Sequence, residues 1–453
     1  MKVSENKSSV IKKILSVIAA VAVTAAVFFA GFYTRKLTQP SYISVYEWAV
    51  GTIKKHYYYD FDAKACEGLS LKEIAARLDR YSDFYTAEEY KAVIKENEGA
   101  KSGLGITYSF VPDEGARIIS VMGNSPAYLG GIRAGDTIIG GKAGDGAAGG
   151  VEFTTAQSFS EFIDGRDTGE KFTLTAKAEN GKEEESFTVS KEFYTAGYTF
   201  YATKETAWEV RYAEKSSSPT LFEAPADKIE YLPSGFGYIR LNQFYGNAGD
   251  EFGRLAEKFN ADGCTSLILD LRNNGGGYVS VMQDIAGYFH AATSESSGVA
   301  MTAEYKNGRK ETYKAYRHTG AGVVSADTTV YVLANSGTAS ASEALIGVLV
   351  SCGALEYKNI FLSDYSEEYL GFAGADAKTA QSYGKGIMQT TFVKPFTKEA
   401  LKLTTAQIYW PNGKCIHDVG LTVKDGCRPS RAEWTATKGD TELKNICTEY
   451  LGK

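Results

Sequence analysis

The stretch NSGTASASEALIGVLV, from Asn335 to Val350, decides how the rest of this chain is interpreted. It follows TTVYVLAN (Thr328 to Asn335), whose β-branched and apolar residues predict a buried strand. The small polar residues predict a turn, and the apolar run after them predicts a buried helix. A hydroxyl on such a turn, beside the free N–H groups of a helix N-terminus, supplies two parts of a serine nucleophile site.

Three serines are candidates for this hydroxyl: Ser336, Ser340 and Ser342. Ser340 also opens the pattern Ser340-x-x-Glu343, which is a helix capping box. On these residues alone, a capping role for Ser340 is the simpler interpretation, because a nucleophile also needs a general base.

The chain offers two kinds of general base. The histidines are His56, His290, His318 and His417. Only His417 has a carboxylate beside it, Asp418, and it is the reserve candidate. Lys385, in YGKGIMQ (Tyr383 to Gln389), is the better one, because its two flanking glycines let the backbone approach closely and bury the amine. Burial lowers the pKa of a lysine, although a surface lysine on a turn fits the same spacing.

A glycine-rich loop, RNNGGG (Arg272 to Gly277), follows the apolar stretch SLILDL. It is interpreted either as a flexible turn between strand and helix or as a nest of N–H groups that donate to an oxyanion. The loop itself has neither the GxGxxG nor the GxxxxGK spacing, so it does not predict a nucleotide site.

The composition argues against some classes of function, namely nucleic-acid binding and zinc binding. The chain has 453 residues, a net charge of −6 and a pI near 5.6, which argues against nucleic acid as a partner. Six scattered cysteines include no CxxC pair, so a zinc site is not predicted. No cofactor is expected either. A disulfide between Cys415 and Cys427 stays open for an extracytoplasmic protein.

The N-terminus predicts a membrane anchor. Ile14 to Phe32 is an uncharged run of 19 residues, long enough to cross a bilayer. More positive charge precedes it than follows it, which places residues 1–36 as a cytoplasmic tail and a single span. A cleaved signal peptide is the alternative, and in either case the remainder is exported.

The rest of the chain predicts three further segments, and with them a multidomain protein of α/β and α+β class. Residues 37–98 show helical spacing and include a Thr86-x-x-Glu89 capping box. Residues 99–196 predict a compact α+β module of short strands with two helices. Residues 197–453 alternate strands and helices, which indicates a mixed, mostly parallel sheet flanked by helices. Phe361 to Ala380 and the stretch before TTVYVLAN are predicted as loops.

Several motifs occur in an order that resembles one family, the carboxyl-terminal processing proteases, a serine–lysine peptidase family with an embedded PDZ domain. The motifs are GLGI, SPAYLGGIRAGDTII, GFGYIRLNQF, LILDLRNNGGG, NSGTASASEALIGVL, YGKGIMQ and LKLTTAQIYWPNGKCI. The resemblance runs from about Ile53 to Leu451. It implies a PDZ domain at 99–196 and a protease core at 197–453.

The resemblance also implies residue roles. Ser340 would be the nucleophile and Lys385 the general base, with Gln389 positioning the lysine. The oxyanion hole would consist of the N–H groups of Gly276 and Ala341. In the PDZ module, the resemblance implies a loop that binds the C-terminal carboxylate and the last side chain of the substrate. The residues of this loop are Gly103, Leu104, Gly105 and Ile106.

The function implied is a membrane-anchored serine endopeptidase that recognises free, apolar C-termini of exported proteins, without metal or nucleotide. Ser340 and Lys385 stand 45 residues apart, more than is usual in the family, which indicates an insertion between them. Two rival functions are a catalytically inactive PDZ scaffold that binds peptides and a hydrolase that uses His417. The sequence leaves the oligomeric state open, a homo-oligomer included.

Overall fold

A computed structural model of the chain describes residues 23–24, 27, 42–98, 100–144, 149–177, 184–213, 220–226, 228–289, 298–365, 379–432 and 440–452. The predicted membrane span, Ile14 to Phe32, lies almost entirely outside the described residues, as does His290. None of the helices in the described ranges combines the length and apolarity needed to cross a bilayer. The chain forms two compact units, the first made of Met1–Tyr90 and Gln389–Thr404 and the second of Lys91–Met388 and Thr405–Lys453.

The helices of the described ranges, in chain order, are α1 (Tyr42–His56), α2 (Leu71–Leu78), α3 (Ala87–Asn97), α4 (Pro126–Leu129), α5 (Ala156–Asp164), α6 (Ala248–Ala261), α7 (Val279–Gly287), α8 (Ala341–Ser351) and α9 (Thr441–Ile446). The strands are β1 (Asp83–Tyr85), β2 (Ala100–Gly103), β3 (Ile106–Val111), β4 (Gly115–Val121), β5 (Thr137–Ala143), β6 (Val151–Glu152), β7 (Lys171–Lys177), β8 (Glu184–Ser190), β9 (Glu192–Thr195), β10 (Thr199–Ala202), β11 (Ala207–Ala213), β12 (Thr220–Pro225), β13 (Phe236–Leu241), β14 (Ser266–Asp270), β15 (Val299–Tyr305), β16 (Lys310–Lys314), β17 (Thr329–Ala334), β18 (Ile360–Tyr365), β19 (Ile387–Val393), β20 (Ala400–Tyr409) and β21 (Arg428–Ala432).

The first unit is built on α1 and α2, whose apolar faces are buried together with Phe84 and Leu401. The Ser70–Glu73 pair caps α2, and Thr86 and Glu89 form the capping box that the sequence predicts before α3. The prediction of a helical segment is confirmed for α1 to α3. It missed β1, which pairs antiparallel with the first residues of β20.

The second unit contains a six-stranded sheet in the order β3-β4-β5-β7-β8, with β6 beside β5. Five of these strands are the short strands that the sequence predicts between Gly103 and Val189, and only β6 was not predicted. The helices α4 and α5 are the two predicted helices. This sheet has a hydrophobic core of its own, which includes Phe159 of α5 and Phe172 of β7. Among the described strands, β3 pairs only with β4, so its other edge is unpaired.

The same unit contains an eight-stranded sheet in the order β12-β11-β10-β13-β14-β17-β18-β21. Five neighbouring strands of this sheet run parallel to one another: β13, β14, β17, β18 and β21. The remaining three, β10 to β12, pair antiparallel. The predicted mixed, mostly parallel sheet is therefore confirmed. Asp270 pairs in register with Leu333, so the carboxyl ends of β14 and β17 lie side by side. Loops that follow such neighbouring ends form the usual site of an α/β sheet.

Two stretches that were predicted as loops contain strands, so these two predictions are wrong in part. Phe361 to Ala380 begins inside β18, whose residues Ile360 to Leu362 are fully buried between β17 and β21. Residues 366–378 lie outside the described part. The stretch before TTVYVLAN contains β15 and β16, an antiparallel hairpin. A run of three apolar residues is too short to distinguish a buried strand from a loop by periodicity, which explains the first error.

A buried carboxylate joins the antiparallel strands to α6. Glu251 accepts hydrogen bonds from the N–H groups of Tyr198 and Thr199, at 2.7 and 3.0 Å, and from the hydroxyl groups of Thr199 and Tyr212. Burial raises the pKa of Glu251 to about 7, and these hydrogen bonds oppose that shift only in part.

We expect Glu251 to make the folded protein less stable as the pH rises from about 4.5 to about 7. In that range the folded state binds the proton and the unfolded state does not, so the free energy of unfolding falls with pH, by up to about 3 kcal/mol. Denaturant unfolding of the wild type and Glu251→Gln across this range measures the effect as a difference between the two. Exposed Glu257 of the same helix supplies the control Glu257→Gln. An unchanged difference across the range contradicts the prediction.

Candidate active site

The turn between β17 and α8 holds Ser340 in an unusual backbone conformation. Its φ is 57° and its ψ is −114°, a region that residues other than glycine rarely occupy. Such strain persists only where the surroundings impose it, and it often accompanies function. Asn335 fixes the start of the turn, because its carbonyl accepts the N–H of Thr338 at 2.8 Å and its Oδ1 accepts the N–H of Gly337 at 3.0 Å.

A pair of asparagines joins this turn to the glycine-rich loop. The N–H of Asn273 donates to Oδ1 of Asn335, and Nδ2 of Asn335 donates to Oδ1 of Asn273, both at 2.9 Å. The hydroxyl of Thr338 donates to the carbonyl of Leu271 at 2.8 Å. Sequence reasoning missed this pairing. The only signal was that both asparagines come shortly after the end of an apolar strand.

Asn274 extends the junction and is fully buried. Its side chain donates to the carbonyl of Leu241 at 2.8 Å, and its carbonyl accepts the N–H of Ala339 at 3.0 Å. The same carbonyl accepts the hydroxyl of Ser342 at 2.8 Å. Ser342 is thus engaged in holding the loop, which separates it from the other serine candidates.

Gly276 lies directly against the turn. Its φ is 95°, and a Cβ at this position would stand 2.8 Å from the nitrogen of Ala341 and 2.9 Å from Cβ of Ser340. The structure therefore brings together Gly276, Ala341 and Ser340. The N–H of Gly276, however, donates to Oδ1 of Asn274 at 2.9 Å. As an oxyanion donor, Gly276 would have to exchange Asn274 for the substrate oxygen.

Glu343 connects the turn to the lysine segment. Its Oε2 accepts the N–H of Ser340 at 3.0 Å and the N–H of Lys385 at 2.9 Å. Its Oε1 accepts the N–H of Gly384 at 2.8 Å and the hydroxyl of Ser382 at 2.6 Å. Burial raises the pKa of this fully buried carboxyl group, and the four hydrogen bonds oppose the shift. The sequence identified Glu343 only as a capping residue.

The lysine segment has glycines where other backbone comes close. A Cβ on Gly386 would stand 2.7 Å from the nitrogen of His417, and one on Gly384 2.8 Å from the nitrogen of Gly420. The N–H of Asp418 donates to the carbonyl of Gly384 at 2.8 Å. Lys385 is half-buried. Both candidate bases thus lie on adjacent backbone segments.

Gln389 belongs to the first unit, where its Nε2 donates to Oγ1 of Thr404 at 3.3 Å. Its role in positioning Lys385 stays a prediction.

The loop predicted to bind peptide connects β2 to β3. Leu104 is buried and its carbonyl accepts the N–H of Ala127 at 3.0 Å. Gly105 has a φ of 76° and contacts Ser125 so closely that no side chain would fit there. Gly103 ends β2 and Ile106 begins β3. The four residues therefore lie at the start of the unpaired edge of β3.

In the described ranges, no three His, Cys, Asp or Glu side chains are grouped so that they could hold a metal ion. All six cysteines are free thiols, so Cys415 and Cys427 are not joined in this structure.

We expect Gly276→Ala to reduce turnover by about 10²-fold, because the added methyl group would displace the Ser340 turn from its productive position. Gly275→Ala is the matched control, since a Cβ there has nothing within 4 Å. Steady-state turnover by both variants provides the comparison. Equal activity of the two variants contradicts this account of the loop.

Comparisons with known protein families, sequences and structures each find similarity to peptidases. Residues 235–353 match peptidase family S41. The chain is 25% identical over 376 residues to a CtpA-like serine protease of Staphylococcus saprophyticus, covering 82% of this chain and 62% of that protein. It is 26% identical over 354 residues to a carboxyl-terminal-processing protease of Synechocystis, covering 78% and 69%. A solved structure described as an S41 protease of Bacteroides fragilis is 15% identical, with coverage of 90% and 98% and a TM-score of 0.54, which shows a shared fold.

Proposed function

We propose that the chain is a serine endopeptidase of family S41, with Ser340 as nucleophile and Lys385 as general base. One observation carries the proposal. A single carboxylate oxygen of Glu343 accepts the N–H groups of both residues, so two segments 45 residues apart in the chain meet at the strained turn.

The chemistry follows from these positions. Neutral Lys385 takes the proton of the Ser340 hydroxyl as the oxygen attacks the scissile carbonyl, and it returns the proton to the leaving amine. Water then hydrolyses the acyl-enzyme by the same route in reverse. The N–H groups of Ala341 and Gly276 hold the oxyanion, with Gly276 released from Asn274. No metal or nucleotide takes part in these steps.

Ser340→Ala tests the nucleophile. We expect the wild type to cleave an unfolded protein with an apolar C-terminus and to be labelled at Ser340 by a fluorophosphonate. The Ser340→Ala variant should lose both, with a loss of turnover of about 10⁴-fold or more. Ser336→Ala is the control, and it should retain labelling and cleavage. Cleavage by Ser340→Ala at the wild-type rate would remove the assignment.

We further propose that the module at 99–196 is a PDZ domain that binds the C-terminal tail of the substrate. The unpaired edge of β3 supports this proposal, because an extended peptide can add to it as a further strand. Tyr108 of β3 contacts Phe159 of α5 edge-on, with ring centroids 4.6 Å apart, so the side of β3 that faces α5 is apolar. An apolar last side chain of the substrate suits that surface.

Substrates with a free and with an amidated C-terminus test tail recognition. We expect amidation to raise KM and to leave kcat nearly unchanged, because only tail binding is lost. Equal KM values for the two substrates would count against the PDZ proposal, while leaving the catalytic assignment intact.

We also propose that Ile14 to Phe32 anchors the enzyme in the membrane with residues 42–452 outside the cytoplasm. The uncharged run and the lysines that precede it support this proposal. Protease added to intact cells should degrade the exported part, and carbonate washing should leave the chain in the membrane fraction. Release by the wash would contradict an uncleaved anchor.

A further inference from the structure

Arg272, the first residue of the glycine-rich loop, lies in a buried cluster of carboxylates. Its Nε and Nη2 donate to the two oxygens of Asp270, at 2.9 and 2.5 Å. Its Nη1 donates to Asp440 at 3.0 Å and to Glu442 at 2.9 Å, and Nη2 also donates to Asp440. These bonds use all five N–H donors of the guanidinium group. The orientation of Arg272 is therefore fixed from two sides.

The two sides come from distant parts of the sequence. Asp270 ends β14, only two residues before Arg272, whereas Asp440 caps α9 by accepting the N–H of Leu443 at 2.9 Å. Asp270 alone would balance the arginine charge, and the pKa of Asp270, despite its burial, falls to about 2 beside that arginine. Asp440, which is partly exposed, and Glu442, whose pKa is raised by burial, are therefore carboxyl groups beyond the one that balances the arginine charge.

Glu442 has further hydrogen-bond partners besides Arg272. Its Oε2 also accepts the hydroxyl of Ser363 in β18 at 3.0 Å, and its Oε1 accepts the hydroxyl of Ser430 in β21 at 2.5 Å. The carbonyl of Ser363 accepts the N–H of Ala380, which lies in the segment leading to Lys385. One buried carboxylate thus touches the residue that opens the glycine-rich loop and the strand that precedes the lysine segment.

We propose that Asp440 and Glu442, the C-terminal carboxylate pair, are positioning residues for the peptidase site. They act through Arg272 on the glycine-rich loop, and Glu442 also acts through Ser363 on the lysine segment. The pair makes the C-terminal helix part of the support of the site. This inference rests on the proposed function, because it assigns a role in the same reaction.

The test compares Glu442→Gln with Glu449→Gln in the full-length protein. Glu449 follows α9 closely but is exposed, so its variant controls for a change of charge at the C-terminus. The concentration of competent sites in each preparation is measured by end-point fluorophosphonate labelling. We expect Glu442→Gln to lower kcat per labelled site by about 10- to 100-fold, with KM within about threefold of the wild type. Glu449→Gln should match the wild type.

Two results would overturn the inference. One is a wild-type kcat per labelled site in Glu442→Gln, with only the number of labelled sites reduced, since that outcome indicates a role in folding alone. The other is a rise in KM without a fall in kcat. Restoration of most of the lost kcat by Glu442→Asp, which keeps the charge, would support the inference. Failure of the proposed function is distinguishable, because the wild type itself would then neither cleave nor be labelled.

Discussion

Lys385→Met is expected to lower kcat by about 10⁴-fold and to leave KM nearly unchanged. Methionine replaces the apolar stem of the side chain as far as Cε but cannot accept the Ser340 proton, so only the transition state is affected. Single-turnover kinetics on an unfolded substrate measure the chemical step directly. Lys358→Met, a change at an exposed lysine of the same unit, is the control and should behave as the wild type.

Lys385→Arg separates a base from a mere positive charge. An arginine side chain stays protonated at any pH at which the protein is folded, so it can pair with an anion but cannot take a proton. We expect this variant to be as inactive as Lys385→Met. Activity near the wild-type level in Lys385→Arg would contradict the base role, and loss of activity in His417→Ala alone would transfer that role to His417.

The sequence could predict the resemblance to a peptidase family, and the comparisons confirm that resemblance. It could also predict the strand, turn and helix around Ser340, because strand and helix periodicity change there within a few residues. The mixed sheet followed from alternating strands and helices. These features depend on local patterns or on ordered motifs, which a single sequence displays.

The support of the site could not be predicted in the same way. The pairing of Asn273 with Asn335 and the bond from Glu343 to Lys385 join residues that only the parallel sheet brings together. A capping box predicts one partner for Glu343, the N-terminal turn of its own helix, whereas the carboxylate has partners 39 to 42 residues further along the chain. Glu442 gave no sequence signal, because nothing in its local pattern points to Arg272.

Glu343→Gln is expected to lower kcat by about 10²-fold and the free energy of unfolding by about 2 kcal/mol. All four partners of Glu343 are donors: the N–H groups of Ser340, Gly384 and Lys385 and the hydroxyl of Ser382. A glutamine accepts at one end only, and its NH₂ group would face two of these donors. The turn and the lysine segment would then separate at that end.

Kinetics and stability together distinguish this bridging role from simple helix capping. If Glu343 only capped α8, its replacement would cost about 1 kcal/mol of stability and leave kcat per folded molecule unchanged. A bridge between Ser340 and Lys385 predicts a fall in kcat even where the protein is fully folded. Ser382→Ala removes only one of the four donors to Glu343, and it also takes the hydroxyl acceptor from the N–H of Leu421. It should therefore lower kcat less than Glu343→Gln does. Denaturant unfolding and active-site titration of both variants, with exposed Glu356→Gln as control, measure the two quantities side by side.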